Sequence, residues 1–479
     1  MTAPTSAGRG RGRWIEHWDP EDEDFWEREG RHVARRNLVL SVVSEHIGFS
    51  VWSMFSVLAL FMGPEYGVDP AGKFFLVAVA SLVGSALRVP YGFAVARFGG
   101  RNWTVISAAM LLAPTIALLV VMEPGTSYTT FMAVAVLTGV GGANFASSMT
   151  NINGFYPLRL KGWALGVNAG GGNIGVAVVQ LVGLLIISVA GAAQPRLLLA
   201  AYLPLIVVAT VLSARHMDNL GPVRGDTGAA KRAAADRHTW IMAFLYIGTF
   251  GSFIGYGFAF GLVLQNQFDR TPLQAASLTF VGPLLGSLIR PVGGRLADRL
   301  GGARVTLWNF AAMTAAAGLT VVASARESLP LFIASFVVLF VLTGLGNGST
   351  FKMIPGIFQA KAVAAGLTGE TAAAHARRLS GASMALIGAV GGLGGVGINM
   401  ALRQSFAASG SGTGAFVVFL GYYTACAAVT WFVYLRRPAP AAVPATGAGT
   451  GPAEEAGAWG TAGRTGGAGA EERPVHARV

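Results

Sequence analysis

The chain has 479 residues, 53% of them hydrophobic and only 12% charged, about half the charged share of a soluble protein, roughly 25%. Its net charge of +12 would suit nucleic acid, but the cations fall between apolar runs rather than on one face, which excludes that partner. The single cysteine, Cys426, excludes a disulfide framework and a multi-cysteine metal site. With no Ser/His/Asp constellation and no phosphate-binding loop, neither an enzyme nor a metal or other cofactor is expected.

Residues 1–36 are polar and lack a short apolar stretch with a cleavage site, so no removable signal peptide is expected. Asp19, Pro20, Glu21 and Asp22 form a helix-start pattern of capping residue, proline and acids. Trp14, Trp18 and Trp26 place this helix at the membrane interface. Twelve runs then reach the roughly 20 apolar residues that cross a bilayer. They lie near 37–62, 73–96, 102–122, 129–154, 163–190, 195–213, 239–264, 273–297, 303–323, 330–355, 380–402 and 414–435. Residues 436–479, rich in Ala, Gly and Pro, should form a disordered tail.

The side follows from the basic residues. Of 35 lysines and arginines, 27 lie in the two tails and the loops on their side, including 214–238 and 359–379. Five lie in the opposite loops: Lys73, Arg196, Arg270, Arg326 and Arg403. Both termini are therefore expected in the cytoplasm.

The stretch Leu137–Leu181 is crowded with small residues, among them Gly139, Gly141, Gly142, Gly170, Gly171, Gly172 and Gly175. Such residues let helices in lipid pack backbone to backbone. Two amides, Asn144 and Asn173, stand in its apolar body and need a partner or a cavity.

The segments NFASSM at 144–149 and GGGNIG at 170–175 give the stretch a more particular character. In that order they resemble the signature segments of the nitrate/nitrite porter family (NarK/NasA type) of the major facilitator superfamily. The lead Trp18–Trp26, of the form W-x-P-E-D-x-x-F-W, is similar to the segment preceding the first span in those porters.

The chain also repeats. Arg88-Val-Pro-Tyr-Gly ending in Arg97-Phe-Gly-Gly is echoed 202 residues later by Arg290-Pro-Val-Gly-Gly ending in Arg299-Leu-Gly-Gly. This gives an all-α membrane protein of two pseudo-symmetric six-helix halves, 37–213 and 239–435, joined by a linker at 214–238, the layout of major facilitator transporters. That superfamily's loop motif is matched by Gly294, Asp298, Arg299 and Gly301; in the first half Ala96 replaces the acid.

Arg88 and Arg290 each precede a cation at the cytoplasmic edge by nine residues, which is roughly 13 Å of helix and near the midplane of a core about 30 Å thick. One reading pairs them with acids, but the spans supply only Glu45. The other has both guanidiniums face a central cavity and a small anion, which a fixed fork of donors holds bidentately. Sequence alone leaves nitrate, nitrite, bicarbonate and small carboxylates open. The resemblance implies transport of nitrate and nitrite, with Phe145 and Phe250 stacking on the flat anion and Asn173 and Tyr246 donating hydrogen bonds.

The glycine runs Gly170, Gly171, Gly172, Gly175 and Gly391, Gly392, Gly394, Gly395 are read as the places where helices bend and slide. Glu45, with neighbouring His46 and with Lys352 nine residues before Lys361, falls at similar depth. A buried carboxyl can carry a proton, although a permanent Glu45–Lys352 or Glu45–arginine pair is the rival. Exchangers of the resembled family need no titratable acid, so proton-coupled nitrate import is expected ahead of strict nitrate/nitrite exchange. The molecule is expected to act as a monomer in the cell membrane. A porter of another small anion, or a sensor built on the same fold, is the alternative.

Overall fold

The computed structural model describes residues 13–221 and 227–436; the expected tail from 437 onward lies outside the described residues. Among those residues, twelve helices are long and apolar enough to cross a membrane, from Glu23–Phe61 to Thr413–Leu435. They agree one for one with the expected spans but run longer, because several continue past the apolar core as helix. The tenth extends over Leu329–Ala364 and the eleventh over Gly369–Ser409, so most of the expected loop at 359–379 is helical.

The helices change direction where the sequence demands it. The second span ends at Gly99 (φ +86°) and the eighth at Gly301 (φ +89°), a backbone that side chains with a Cβ rarely adopt. These two stops are 202 residues apart, as are the prolonged echoes of sequence around Arg88 and Arg290. The fourth span tightens to 3-10 geometry over Gly139–Ala143. There Gly141 meets the backbone of Gly48, and Gly142 the ring of Trp52, so the first and fourth spans touch main chain to main chain.

The amino-terminal segment departs from expectation. Its helix starts at Glu23, where the Asp22 side chain accepts from the amides of Asp24 and Phe25, and runs on into the first span. It does not lie apart along the interface. Trp26 is buried against Tyr156, and Trp18 meets Phe25 and Phe155 edge-on. These aromatics form a small core of their own instead of a lipid-facing belt. Trp14–Ile15 pairs in parallel with Asn219–Leu220, which fastens the segment to the start of the linker.

Asp218, fully buried, locks that fastening. It accepts from Arg13 at 2.8 Å and from Arg36, and from the Asn37 amide at 3.1 Å. Asp218→Ala leaves Arg36 and Asn37 short of partners, an expected loss of about 1–3 kcal/mol. Thermal unfolding in detergent checks this, and an unchanged midpoint would mean that water satisfies both groups.

The remaining linker carries a short helix, Thr227–Ala235. The chain's last described turn meets the linker's far end, where Tyr434 Oη and His238 Nδ1 lie 3.3 Å apart. Both described ends therefore sit on the linker side.

Candidate functional site

The two halves meet around a layer of arginines and aromatic rings. Arg88, from the second span, is 1% exposed. Its Nε donates to the Gly142 carbonyl at 3.1 Å and its Nη1 to the Gly388 carbonyl at 2.7 Å. Those carbonyls are within reach because glycines keep the fourth and eleventh spans close. The guanidinium carbon lies 4.9 Å from the ring centres of both Phe145 and Phe250 and 5.4 Å from Trp52. Phe250 stacks on Tyr246 at 5.2 Å, and Tyr246 Oη accepts from Arg290 Nη2 at 3.2 Å. Phe351 lies 5.8 Å from the Arg290 guanidinium. The layer thus runs unbroken from Phe145 through Arg88, Phe250 and Tyr246 to Arg290, with residues from both halves.

Neither guanidinium has a carboxylate within 4.0 Å among the described residues. The reading as two structural ion pairs is therefore not what the fold builds. Arg88 Nη2 and Arg290 Nη1 are buried without a protein partner, and so are both amide atoms of Asn173. A buried unpaired donor on a cation is costly, so the two guanidinium nitrogens are places for an acceptor to bind, and Asn173 Nδ2 is a further free donor. The cation–π contacts, worth ~0.5–2 kcal/mol each, offset part of the cost of burying Arg88 but leave its free nitrogen unsatisfied.

A cavity of about 360 Å³ reaches Arg88 and Phe145. Its far end is lined by Ala229 and Ala230 of the linker helix, so it opens on the linker side. On the opposite side the halves are shut: Trp52 meets Phe258 and Phe74 stacks on Phe406, each at 5.2 Å, and Gln265 Nε2 donates to the Leu60 carbonyl at 3.2 Å. Arg290, Tyr246, Phe250 and Asn173 do not line the cavity; they lie behind Arg88 and Phe351.

Glu45 stands apart from this layer. It is 1% exposed. Its Oε2 accepts from Ser148 Oγ at 2.5 Å and Asn168 Nδ2 at 2.8 Å, while its Oε1 has no partner. The charges of Arg88 and Arg290 act on it without touching it. A space of about 10 Å³ beside it is lined by Ser41, Thr104, Ser107 and Asn144, enough for about one water. Neither polar atom of the Asn144 side chain has a partner.

The second half has a matching corner. Thr306 and Asn309 stand 202 residues after Thr104 and Ser107, with Thr306 bonded to Ser349 at 2.9 Å and Thr249 to Thr350 at 3.4 Å. Every one of those groups is neutral, so the acid belongs to the first half alone. Asn168 and Ser148 were missed as its partners; polar residues in otherwise apolar spans were the available signal.

Three expectations are corrected. Lys352 does not join the arginine layer. It is half exposed and pairs with Asp298 at 3.0 Å, on the outer face of the tenth helix. His46 faces away from the arginine layer, with Nδ1 3.2 Å from the Gly171 carbonyl. Gly170 has open space where a Cβ would stand, so it packs against nothing.

The other glycines are contact points. Gly171, Gly172 and Gly175 abut Val42, the Glu45 carboxyl and the His46 backbone; Gly391, Gly392, Gly394 and Gly395 abut Tyr246, Ser85, Gly251 and Ser81. The first set lays the fifth span on the first. The second lays the eleventh span on the second and seventh, within reach of Arg88.

Fold and site together define a helical membrane protein of two repeated halves around a buried cationic layer. The model of the Major Facilitator Superfamily matches residues 43–377. The chain is 40% identical over 450 residues to the nitrate/nitrite transporter NarU of Salmonella typhimurium, covering 88% of this chain and 96% of that protein. It is 33% identical over 396 residues to the probable nitrate/nitrite antiporter NarK2 of Thermus thermophilus, covering 76% and 87%. Among solved structures it resembles a D-xylose-proton symporter, with a TM-score of 0.60, 14% identity and coverage of 82% and 96%. The nucleoside transporter NupG gives a TM-score of 0.59, 12% identity and coverage of 83% and 100%. The chain belongs to the major facilitator superfamily and, within it, to the nitrate/nitrite porter family.

Proposed function

We propose that this protein transports nitrate and nitrite across the cytoplasmic membrane by alternating access, with both termini in the cytoplasm, and that it imports nitrate with protons. The observation that carries the anion reading is the pair of buried guanidiniums, free of carboxylates, each with one unpartnered nitrogen beside aromatic faces. A planar oxyanion matches that arrangement in charge, shape and donor geometry. Arg88 and Arg290 hold the anion, Phe145 and Phe250 cover its faces, and Tyr246 and Asn173 complete its hydrogen bonds. The relatives named for nitrate and nitrite transport support the choice of anion.

Glu45 carries the proton in this reading, since it is a deeply buried acid with a free oxygen. His46 and Lys352 have no part in it. The two glycine runs permit the first–fifth and second–eleventh contacts to slide as the cavity changes sides. One chain supplies the complete layer, so a monomer suffices.

Uptake of labelled nitrate into proteoliposomes tests the reading, with nitrite, formate and bicarbonate as competitors. Competition by nitrite but not by formate or bicarbonate is the expected result; preferential competition by formate or bicarbonate assigns the site to another small anion. Strict nitrate/nitrite exchange is the second reading, favoured by the lack of any acid in contact with the arginines.

Asn173→Ala removes an amide with no protein partner, so folding should be little affected. Nitrate affinity should fall roughly ten- to hundredfold, the worth of a hydrogen bond to a charged group at about 1.5–3 kcal/mol. Unchanged affinity together with lost thermal stability would return Asn173 to helix packing.

A further inference from the structure

The cavity has a second cationic end. Besides Arg88 at its blind end, its walls carry two further cations, Arg377 and Arg378, and no acid among the described residues. Both are exposed. On the eleventh span, Arg377, Gly381, Ala385 and Gly388 recur at helical spacing, so they share one face, and all four line the cavity. Gly388 is the residue whose carbonyl receives Arg88. Eleven residues separate it from Arg377, roughly 16 Å of helix. Between the two ends this wall offers mostly small side chains, and the fourth span faces it with Thr150 and Asn153.

That distance matters. At physiological ionic strength a charge is screened over about 8 Å, so Arg88 at the bottom cannot draw an anion from bulk water. Cations at the mouth can, because low-dielectric walls focus their field along the cavity. Arg377 has no carboxylate within 4.0 Å among the described residues. Lys161, at the start of the fifth span, is acted on both by Glu21 and by the like charge of Arg377.

We propose that Arg377 and Arg378 form a second anion station at the linker-side mouth of the cavity, which collects a small anion such as nitrite or nitrate from that side and shares it with Arg88. The proposal rests on the transport reading above. It makes the two faces of the protein unequal: anion capture from the linker side is salt-sensitive and depends on this pair, whereas capture from the opposite side does not.

The experiment uses the full chain in phosphatidylcholine vesicles of known sidedness. Labelled nitrate and nitrite are presented to each face, at low and high ionic strength, for wild type, Arg377→Gln/Arg378→Gln and Arg377→Lys/Arg378→Lys. At low salt the glutamine pair should raise KM at the linker face about tenfold, with the maximal rate and the KM at the other face retained. Its KM should respond less to salt, and the lysine pair should resemble wild type. A transporting wild type whose KM and salt response survive the glutamine pair at both faces overturns the station alone. A KM effect confined to vesicles containing anionic lipid, and missing in phosphatidylcholine, overturns it in favour of a headgroup contact. A wild type that carries neither anion overturns the transport reading and the station with it.

Discussion

Arg290→Lys is expected to abolish nitrate binding and transport while the protein stays folded. Arg290 makes one side-chain bond within the protein, from Nη2 to Tyr246 Oη at 3.2 Å, and leaves Nη1 buried and unpartnered. A lysine ammonium can replace the first bond. It cannot hold a second nitrogen in a fixed fork beside it, so bidentate recognition of a planar oxyanion is lost. One missing charge-assisted bond costs about 1.5–3 kcal/mol, or roughly ten- to hundredfold in affinity, and the lost orientation adds to this.

Arg88→Lys should fail as well, with a difference that separates the two arginines. Arg88 also binds the carbonyls of Gly142 and Gly388 and so ties the second span to the fourth and the eleventh. Its replacement should therefore lower thermal stability, which the Arg290 variant should keep. Thermal unfolding with and without nitrate reads both effects. If Arg290→Lys is stabilised by nitrate and transports as wild type does, the clamp assignment is wrong.

Glu45→Gln should uncouple transport from protons. In liposomes with no internal nitrite, an inward proton gradient should drive nitrate uptake by the wild type. The variant should fall below about a tenth of that rate while still binding nitrate. The substitution is nearly isosteric: its carbonyl oxygen can take the bonds from Ser148 and Asn168 that Oε2 now accepts. Its amide can then donate toward the unpartnered oxygen of Asn144 in the same pocket. Stability should be retained, because no buried cation loses a partner. Uptake that ignores the proton gradient and needs internal nitrite would leave Glu45 as a polar residue in an exchanger.

This pocket bears on the anion site through one helix. Asn144 borders the space beside Glu45, and the next residue, Phe145, borders Arg88. Successive side chains on a helix point about 100° apart, so the fourth span is a wall with a different polar chamber on each side. A change of charge at Glu45 can reach the anion layer through this wall without the acid touching the anion.

The sequence by itself determined the twelve spans, because crossing lipid requires roughly 20 apolar residues in a row and few other structures use such runs. It also singled out Arg88 and Arg290 through an internal repeat with a fixed offset, and the structure buries both. Their lack of acidic partners followed from composition, as the spans so drawn held a single acid.

Tertiary structure alone decided which way each polar residue faces. Counting back from Lys361 gave Lys352 the depth of the arginines, but depth along a helix says nothing about its face, and the residue turned outward to Asp298. Glu45 and Arg88 open into different chambers, a separation set by the rotation of the first, second and fourth spans. From sequence the N-terminal tryptophans read as an interfacial segment, whereas the structure gathers Trp18 and Trp26 into a small core. Only the long-range pairing of Trp14–Ile15 with Asn219–Leu220 and the burial of Asp218 distinguish the two, since contacts some 200 residues apart leave no periodicity in the chain.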